Sequence, residues 1–127
     1  MARPYDLRER AFLYAIEIVA FARVVAERGY VLGRLAVQAV KAGTSIGANL
    51  EEAVDAQSKR DFIAKNFVSL KEAREARFWL RVIAASEPAL APQAAPLIAE
   101  AAEFVAMLTA SIKTAKSNPA RGHQEPP

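Results

Sequence analysis

Residues 44–79 of the chain read TSIGANLEEAVDAQSKRDFIAKNFVSLKEAREARFW, and this stretch decides the fold. Good helix formers dominate it, and no part of it alternates between apolar and polar residues as a strand would. Ser58 is a suitable helix N-cap, and Asp61 three residues later approximates a capping box. The stretch therefore predicts the end of one helix, a short connection and the start of a long helix.

The sequence on either side of this stretch predicts three further helices. Gly29 is a suitable C-terminal cap for the first, and three prolines between Pro88 and Pro96 mark the connection before the last. The predicted helices run from Tyr5 to Arg28, Val31 to Val54, Ser58 to Ala85 and Gln93 to Lys116. Long helices with short connections predict an all-α, antiparallel up-down-up-down four-helix bundle. We expect residues 1–116 to form this domain and the polar, proline-rich residues 117–127 to be disordered.

Composition limits the class of protein. The 127 residues are 53% hydrophobic and 24% charged, which is typical of a globular domain with its own core. The absence of cysteine excludes disulfides, thiolate nucleophiles and cysteine-ligated zinc. Residues 11–26 are strongly apolar, but Glu17 and Arg23 interrupt them, and a membrane span needs about 20 residues. We expect a cytoplasmic protein that does not enter a membrane.

The first predicted helix is apolar on two opposite sides. One side carries Phe12, Ile16, Val19 and Ala26, and the other carries Tyr14, Ile18, Phe21 and Val25. A surface helix of a monomer should have one polar side. Either this helix lies at the centre of its own bundle or its outer side contacts another subunit. Because a four-helix bundle has no central helix, we expect a homo-oligomer. We assign its interface to Tyr14, Ile18, Phe21 and Val25.

The second predicted helix contains two glycines one turn apart, Gly43 and Gly47. Each costs about 1 kcal/mol relative to alanine inside a helix, so a structural reason is expected. The reason is either close approach of a neighbouring backbone or a kink near residues 43–45. The sequence does not distinguish these two alternatives.

Residue patterns for catalysis are missing. The single histidine, His123, lies in the predicted tail, and no inward-facing Glu-x-x-His pair supports a di-iron site. The region from Gly43 to Gly47 lacks the lysine and the spacing of a phosphate-binding loop. We therefore expect no enzyme activity, no catalytic residue, no cofactor, no metal and no small-molecule substrate.

Three polar residues lie close to the apolar stripes of the second and third helices. Asn49 and Glu52 are three residues apart on one helix side, and Glu75 precedes Trp79 by four residues. They are either ordinary exposed positions or a structural motif in which Asn49 and Glu75 hydrogen-bond across helices. A buried bond of that kind would fix the register of the two helices.

The third predicted helix is basic. From Ser58 to Ala85 it carries seven basic and three acidic residues, and Arg74, Arg77 and Arg81 share one side. These arginines either lie in water or bridge subunits, or they form a strip that contacts nucleic-acid phosphates. In the second case the strip would include Lys59, Arg60, Lys71, Arg74, Arg77 and Arg81. Phe78 and Trp79 are interpreted as packing residues, which favours the first alternative.

The motifs of residues 44–79 resemble those of the four helix bundle proteins, also called 23S rRNA intervening-sequence proteins. That family has a Ser-Ile-Pro-Ala-Asn-Ile-Ala-Glu-Gly segment, then Ser-Lys-Lys-Glu-Phe-Ile and a later glutamate. The matching positions here are Ser45, Ile46, Ala48, Asn49, Glu52, Ser58, Lys59, Asp61, Phe62, Ile63 and Glu75. The chain departs from the pattern at Gly47, where proline is usual, and at Ala53, where glycine is usual.

The resemblance implies an antiparallel bundle, and some family members are homopentamers. A related branch, the accessory proteins of diversity-generating retroelements, is strongly basic and binds nucleic acid, whereas this chain has a net charge of only +3. We expect a non-enzymatic, self-assembling bundle with an RNA or protein partner. The alternative is a nucleic-acid-binding accessory protein that uses the basic strip of the third helix.

Overall fold

The computed structural model describes residues 6–117, which form four α-helices and one short 3-10 turn. The helices are α1 (Leu7–Ala26), α2 (Tyr30–Val54), α3 (Lys59–Ser86) and α4 (Ala91–Ser117), with the turn at Pro88–Leu90. The all-α prediction is confirmed, and no strand occurs in the described range. The predicted disordered segment lies outside the described residues, apart from Ser117, which ends α4.

Local sequence signals explain where the helices begin. The Asp6 carboxylate accepts a hydrogen bond from the Arg8 backbone N–H at 3.0 Å and caps α1. The Ser58 hydroxyl accepts one from the Asp61 N–H at 3.0 Å, which confirms the predicted cap of α3. Gly29, between α1 and α2, has a φ of 124°, a conformation that side chains rarely tolerate. The ends of every predicted helix lie within about two residues of the observed ends.

One proline is an exception to the expected pattern. Pro88 begins the 3-10 turn, but Pro96 lies inside α4 rather than in the connection or the first helical turn. Proline lacks the N–H that would bond to the carbonyl four residues earlier, at Pro92. Pro92 and Pro96 are both exposed, so water can bind the Pro92 carbonyl. The helix continues through Pro96 for this reason.

The four helices form a ring: α1 packs against α2, α2 against α3 and α3 against α4, and a smaller contact between α1 and α4 closes it. Contacts run in opposite directions along adjacent helices: the Ser69 hydroxyl of α3 donates to the Ile46 carbonyl of α2, and Lys65 pairs with Glu52. The predicted up-down-up-down topology is therefore confirmed.

Large side chains fill the space between α1 and α4. The rings of Tyr14 and Phe104 meet edge to face with centroids 5.5 Å apart, and the Tyr14 hydroxyl donates to the Leu97 carbonyl at 2.9 Å. Burial raises the pKa of this hydroxyl, so it stays a donor. The apolar residues of α4 that recur at helical spacing are all buried, namely Leu97, Ala101, Phe104, Leu108 and Ile112.

The assignment of the oligomer interface on α1 was wrong. Tyr14, Ile18 and Val25 are fully buried in the protomer and Phe21 is 6% exposed, so this side of α1 is the core. The opposite side faces outward, with Phe12 58%, Ile16 53% and Val19 38% exposed. The outward stripe also carries the charges of Arg8, which is half-buried, and Arg23, which is exposed, and this explains its orientation. The helix is thus apolar on both sides, but the free side is not the one predicted.

The two glycines of α2 allow close approach of α1. A Cβ atom on Gly43 would lie 2.5 Å from Ile18 Cδ1, and one on Gly47 would lie 3.3 Å from Ala11 Cβ. The α2 helix is continuous from Tyr30 to Val54. Of the two alternatives that the sequence left open, the structure therefore shows the close approach.

The most apolar helical stretch of the described chain is Pro88–Ser117. Its length and composition would suffice to cross a membrane, and a third of its most apolar window is buried inside the bundle. One such helix is weak evidence for a membrane span, because the core helices of soluble bundles have the same composition.

Candidate functional site

Two opposite sides of the four-helix bundle expose apolar or basic side chains. The first, which we call the apolar face, lies on the outside of α1 and α2 and is formed by Phe12, Ile16, Val19 and Val37. Their exposed fractions run from 38% to 58%. Beside them is a shallow groove of about 300 Å³, lined mostly by small and branched apolar residues. Its only charged lining residues are Arg23 and Lys41.

The predicted polar motif does not form as one cluster. The Asn49 side chain donates to the Ser45 carbonyl at 2.9 Å, within α2 itself. The exposed Glu52 pairs with Lys65 of α3 at 3.0 Å, and Glu75 is exposed. No hydrogen bond joins Asn49 to Glu75 in the described structure. The hypothesis of a register-fixing bond between these two residues is therefore wrong.

A different residue provides the buried polar contact between α2 and α3. The hydroxyl of Ser69, which is fully buried, donates to the Ile46 carbonyl at 2.8 Å. The residue type alone does not predict this role, because serine is small and equally common on exposed sides of helices. Its position one residue before Leu70, inside the buried stripe of α3, was the available signal.

The second exposed side lies on α3 and α4. It includes the basic residues named from the sequence: Lys59, Arg60, Lys71, Arg74, Arg77 and Arg81. No carboxylate of residues 6–117 lies within 4.0 Å of any of these charges. All except Lys59 are exposed. Exposed arginines without a carboxylate beside them fit both alternatives, a stripe that lies in water or bridges subunits and a strip that contacts phosphates.

Three of the arginines share one groove. Arg74, Arg77 and Arg81 line a cavity of about 390 Å³ between α3 and α4, together with Phe78, Ala102 and Val105. None of the lining residues is acidic. Lys59 and Arg60 are not in this group, because they lie in the first turn of α3, about 20 Å along the helix from Arg74.

The acidic residues of α3 lie on another side of the helix. Partial burial, and then the neighbouring charge of Glu75, raise the pKa of Glu72. Glu72 and Glu75 are i, i+3 neighbours, whereas neither lines the arginine groove. The groove therefore keeps its full positive charge.

Exposed aromatic rings are interleaved with these charges, which the sequence analysis did not predict. Phe78 is 54% exposed and Phe67 is 45% exposed, so the interpretation of Phe78 as a packing residue was wrong. Basic and aromatic residues follow one another at spacings of seven, four and three residues, which places them on one side of α3. We call this set the α3 strip: Arg60, Phe67, Lys71, Arg74, Phe78 and Arg81. The spacing was visible in the sequence, but the side of the helix that α4 covers was not.

Two neighbours position the rings of the α3 strip. Phe78 meets Trp79 edge to face, with centroids 5.2 Å apart and planes at 75°. The ammonium group of Lys116 on α4 lies 5.0 Å from the centre of the Phe67 ring. Residues 6–117 contain no group of three or more His, Cys, Asp or Glu side chains placed to bind a metal ion. His123 lies outside the described residues.

These features define the class as an antiparallel four-helix bundle whose unpartnered groups lie on its outer surfaces. The family described as "23S rRNA-intervening sequence protein" matches residues 4–110, and the chain belongs to this family. The resemblance seen in residues 44–79 is thereby confirmed.

A solved structure supports the same assignment. It is the crystal structure of a protein with unknown function from the S23 ribosomal protein family of Bacteroides thetaiotaomicron. The two chains are 32% identical, the match covers 84% of this chain and 97% of the other, and the TM-score is 0.75. No curated protein matches this chain. Neither the family nor this neighbour indicates an enzyme activity.

Proposed function

We propose that the protein is a non-enzymatic cytoplasmic bundle that assembles with copies of itself through the apolar face. The observation that carries this proposal is the row of Phe12, Ile16 and Val19, each more than a third exposed. Contiguous exposed apolar patches are unusual on monomers, and homo-oligomer interfaces are richer in apolar area than other surfaces. The close packing of α1 on α2 supports the proposal, because it makes this face shallow and accessible to another helix.

The family resemblance makes five copies the specific expectation. In a closed ring of five, the apolar face of each copy would contact a different face of its neighbour, since an odd ring cannot use only two-fold contacts. The mass from light scattering at micromolar concentration should then be several times 13.8 kDa. A wild-type mass of a single chain would contradict the proposal.

A matched pair of variants tests the location of the interface. Val19 and Val68 are equally exposed, at 38% and 39%, but only Val19 lies on the apolar face. Val19→Glu should place an unpaired charge in the interface and yield monomers. Val68→Glu, on α3, should leave the mass unchanged. A Val19→Glu variant that keeps the wild-type mass would mean that the apolar face is not the interface.

The second candidate function is nucleic-acid binding through the basic residues of α3. The observation that favours it is the group of Arg74, Arg77 and Arg81 in one groove with no carboxylate within reach. Unpaired arginines on one side of a helix are the usual contacts to phosphates. RNA binding should therefore weaken with added salt, and replacement of the three arginines by glutamine should reduce the salt slope by about 2.

A control variant with the same change in charge separates binding at a specific site on α3 from a general effect of net charge. Arg23, Arg34 and Lys41 lie on the outside of α1 and α2, on the opposite side of the ring. Their replacement by glutamine should leave RNA affinity and salt slope close to those of the wild type. Equal losses in both triple variants would contradict a specific site on α3.

A further inference from the structure

We infer that the α3 strip binds single-stranded nucleic acid, with phosphates on its arginines and a base stacked on Phe78. This inference rests on the nucleic-acid function proposed above and specifies its ligand. Positive charge alone would accept any phosphate backbone, double-stranded or single-stranded. The interleaved exposed aromatic rings are the additional observation, because they offer nothing to a duplex whose bases are already stacked.

The surroundings of Phe78 suit a single base. Its ring is 54% exposed and lies in the groove of about 390 Å³ beside Arg74, Arg77 and Arg81. Trp79 touches the ring edge to face and limits its movement. A base on the phenylalanine ring would bring its own phosphates within reach of the arginines on either side. The apolar lining from Ala102 and Val105 would contact the remaining edge of the base.

The strip continues beyond this groove. Phe67 lies eleven residues before Phe78, about 16 Å along α3, and Lys71 and Arg74 lie between them. The ring of Phe67 is 45% exposed and has Lys116 beside it. From Arg60 to Arg81 the strip is about 31 Å long. A single strand laid along α3 would therefore meet both charges and aromatic rings along its length, as in proteins that bind such strands without sequence preference.

Docking of a second copy explains this surface less well. A two-fold contact between two α3 strips would place arginine against arginine, which is unfavourable without intervening anions. A contact with another face would need a cluster of carboxylates opposite Arg74, Arg77 and Arg81. The groove beside the apolar face has only Arg23 and Lys41 as charged lining residues, both of the same sign. The charge pattern therefore favours an anionic strand.

The test compares two RNA probes on the full-length protein by fluorescence anisotropy. One probe is a short oligouridylate, which stays single-stranded, and the other is a duplex RNA of the same length. We expect the single strand to bind at least tenfold more tightly at low salt. Phe78→Leu should weaken its binding about 5- to 100-fold, the loss typical of removing one stacked base. Phe78→Trp should retain it.

Matched controls exclude changes in folding or in general apolarity. Tyr30→Leu removes an exposed ring, 78%, that lies outside both the α3 strip and the apolar face, and it should leave RNA binding unchanged. Circular dichroism melts should show both leucine variants folded at the assay temperature. If both RNAs bind equally and Phe78→Leu behaves as the wild type, phosphate binding stands and the single-strand inference is overturned. If neither RNA binds at low salt, both proposals are overturned.

Discussion

Arg10 of α1 and Glu100 of α4 form a two-pronged ion pair that closes the ring of helices. The Nε–Oε2 distance is 2.6 Å and the Nη2–Oε1 distance is 2.8 Å. The pair is largely withdrawn from water, with Glu100 5% exposed and the Arg10 side chain 15% exposed. The hydrogen bond to Glu100 raises the pKa of Arg10 further above its ordinary value. Removing one partner would leave an uncompensated charge inside the bundle.

We therefore predict that Glu100→Gln destabilises the protein by roughly 3 kcal/mol, measured by urea unfolding. Glu103 provides the control, because its carboxylate lies 3.6 Å from the same guanidinium but its side chain is 63% exposed. Glu103→Gln should cost less than about 1 kcal/mol, as expected of a solvent-exposed pair. Similar losses for the two variants would show that burial does not determine the contribution of this pair.

The close approach of α1 and α2 gives opposite predictions for two glycines of one helix. Gly43→Ala places a methyl group 2.5 Å from Ile18 Cδ1, and Ile18 is fully buried and cannot move freely. Overpacking costs about 1–3 kcal/mol and exceeds the gain in helix propensity of about 1 kcal/mol. We expect net destabilisation by about 1 kcal/mol. Gly33→Ala meets its nearest atoms at 3.9 Å and should stabilise by about 0.5–1 kcal/mol.

The double variant Gly43→Ala/Ile18→Val checks the cause. Valine lacks the Cδ1 atom that the new methyl group would meet at 2.5 Å, although it keeps Cγ2 at 3.1 Å. Ile18→Val should therefore destabilise the Gly43→Ala variant less than it destabilises the wild type. Thermal unfolding of the wild type, Gly43→Ala, Ile18→Val and the double variant provides the comparison. Destabilisation by Gly33→Ala would contradict the argument, because that position has space for a methyl group.

The raised pKa of Glu72 predicts how the stability of the fold depends on pH. Burial, and then the Glu75 charge, raise its pKa in the folded protein above the ordinary value of 4.5. Just above pH 4.5 the folded state thus binds more protons than the unfolded state, and stability falls as pH rises through this window. At neutral pH the ionised Glu72 destabilises the fold. Glu72→Gln should therefore have a higher melting temperature than the wild type at pH 7 and the same one near pH 3.

Glu75→Gln is a second variant that tests the predicted dependence of stability on pH. It removes the neighbouring like charge but leaves the burial of Glu72, so it should raise the melting temperature at pH 7 by less than Glu72→Gln does. A Glu72→Gln effect of the same size at pH 3 and pH 7 would show that packing, and not ionisation, is responsible.

Much of the fold was predictable because local signals and the apolar pattern agree. Ser58 and Asp61 mark the start of α3 in the sequence, and the same hydrogen bond caps it in the structure. The inward side of α4 also follows from its sequence, because Leu97, Phe104, Leu108 and Ile112 recur at helical spacing. The family was predictable from the polar residues around Asn49, although Asn49 itself bonds only within α2.

The orientation of α1 was harder to predict because both sides are apolar, and it depends on what the other helices offer. The only local clue is that Arg8 and Arg23 share the side of Phe12. The exposure of Phe78 was equally hard to predict, since an aromatic residue in a helix usually packs in the core. Only the position of α4, which leaves its ring open between arginines, shows the exposed side.

Two isoleucines two residues apart on α1 test the corrected orientation. Ile18 is fully buried and Ile16 is 53% exposed, although the sequence gives them equal weight. Ile18→Ala leaves a cavity in the core and should destabilise each protomer by about 2–5 kcal/mol in urea. Ile16→Ala removes only exposed surface, so protomer stability at high dilution should change by less than about 0.5 kcal/mol. If Ile16 lies in the interface between copies, its replacement should instead weaken assembly, seen as a lower mass by light scattering. A large loss of stability at high dilution in Ile16→Ala, with Ile18→Ala near the wild type, would reverse the two sides of α1.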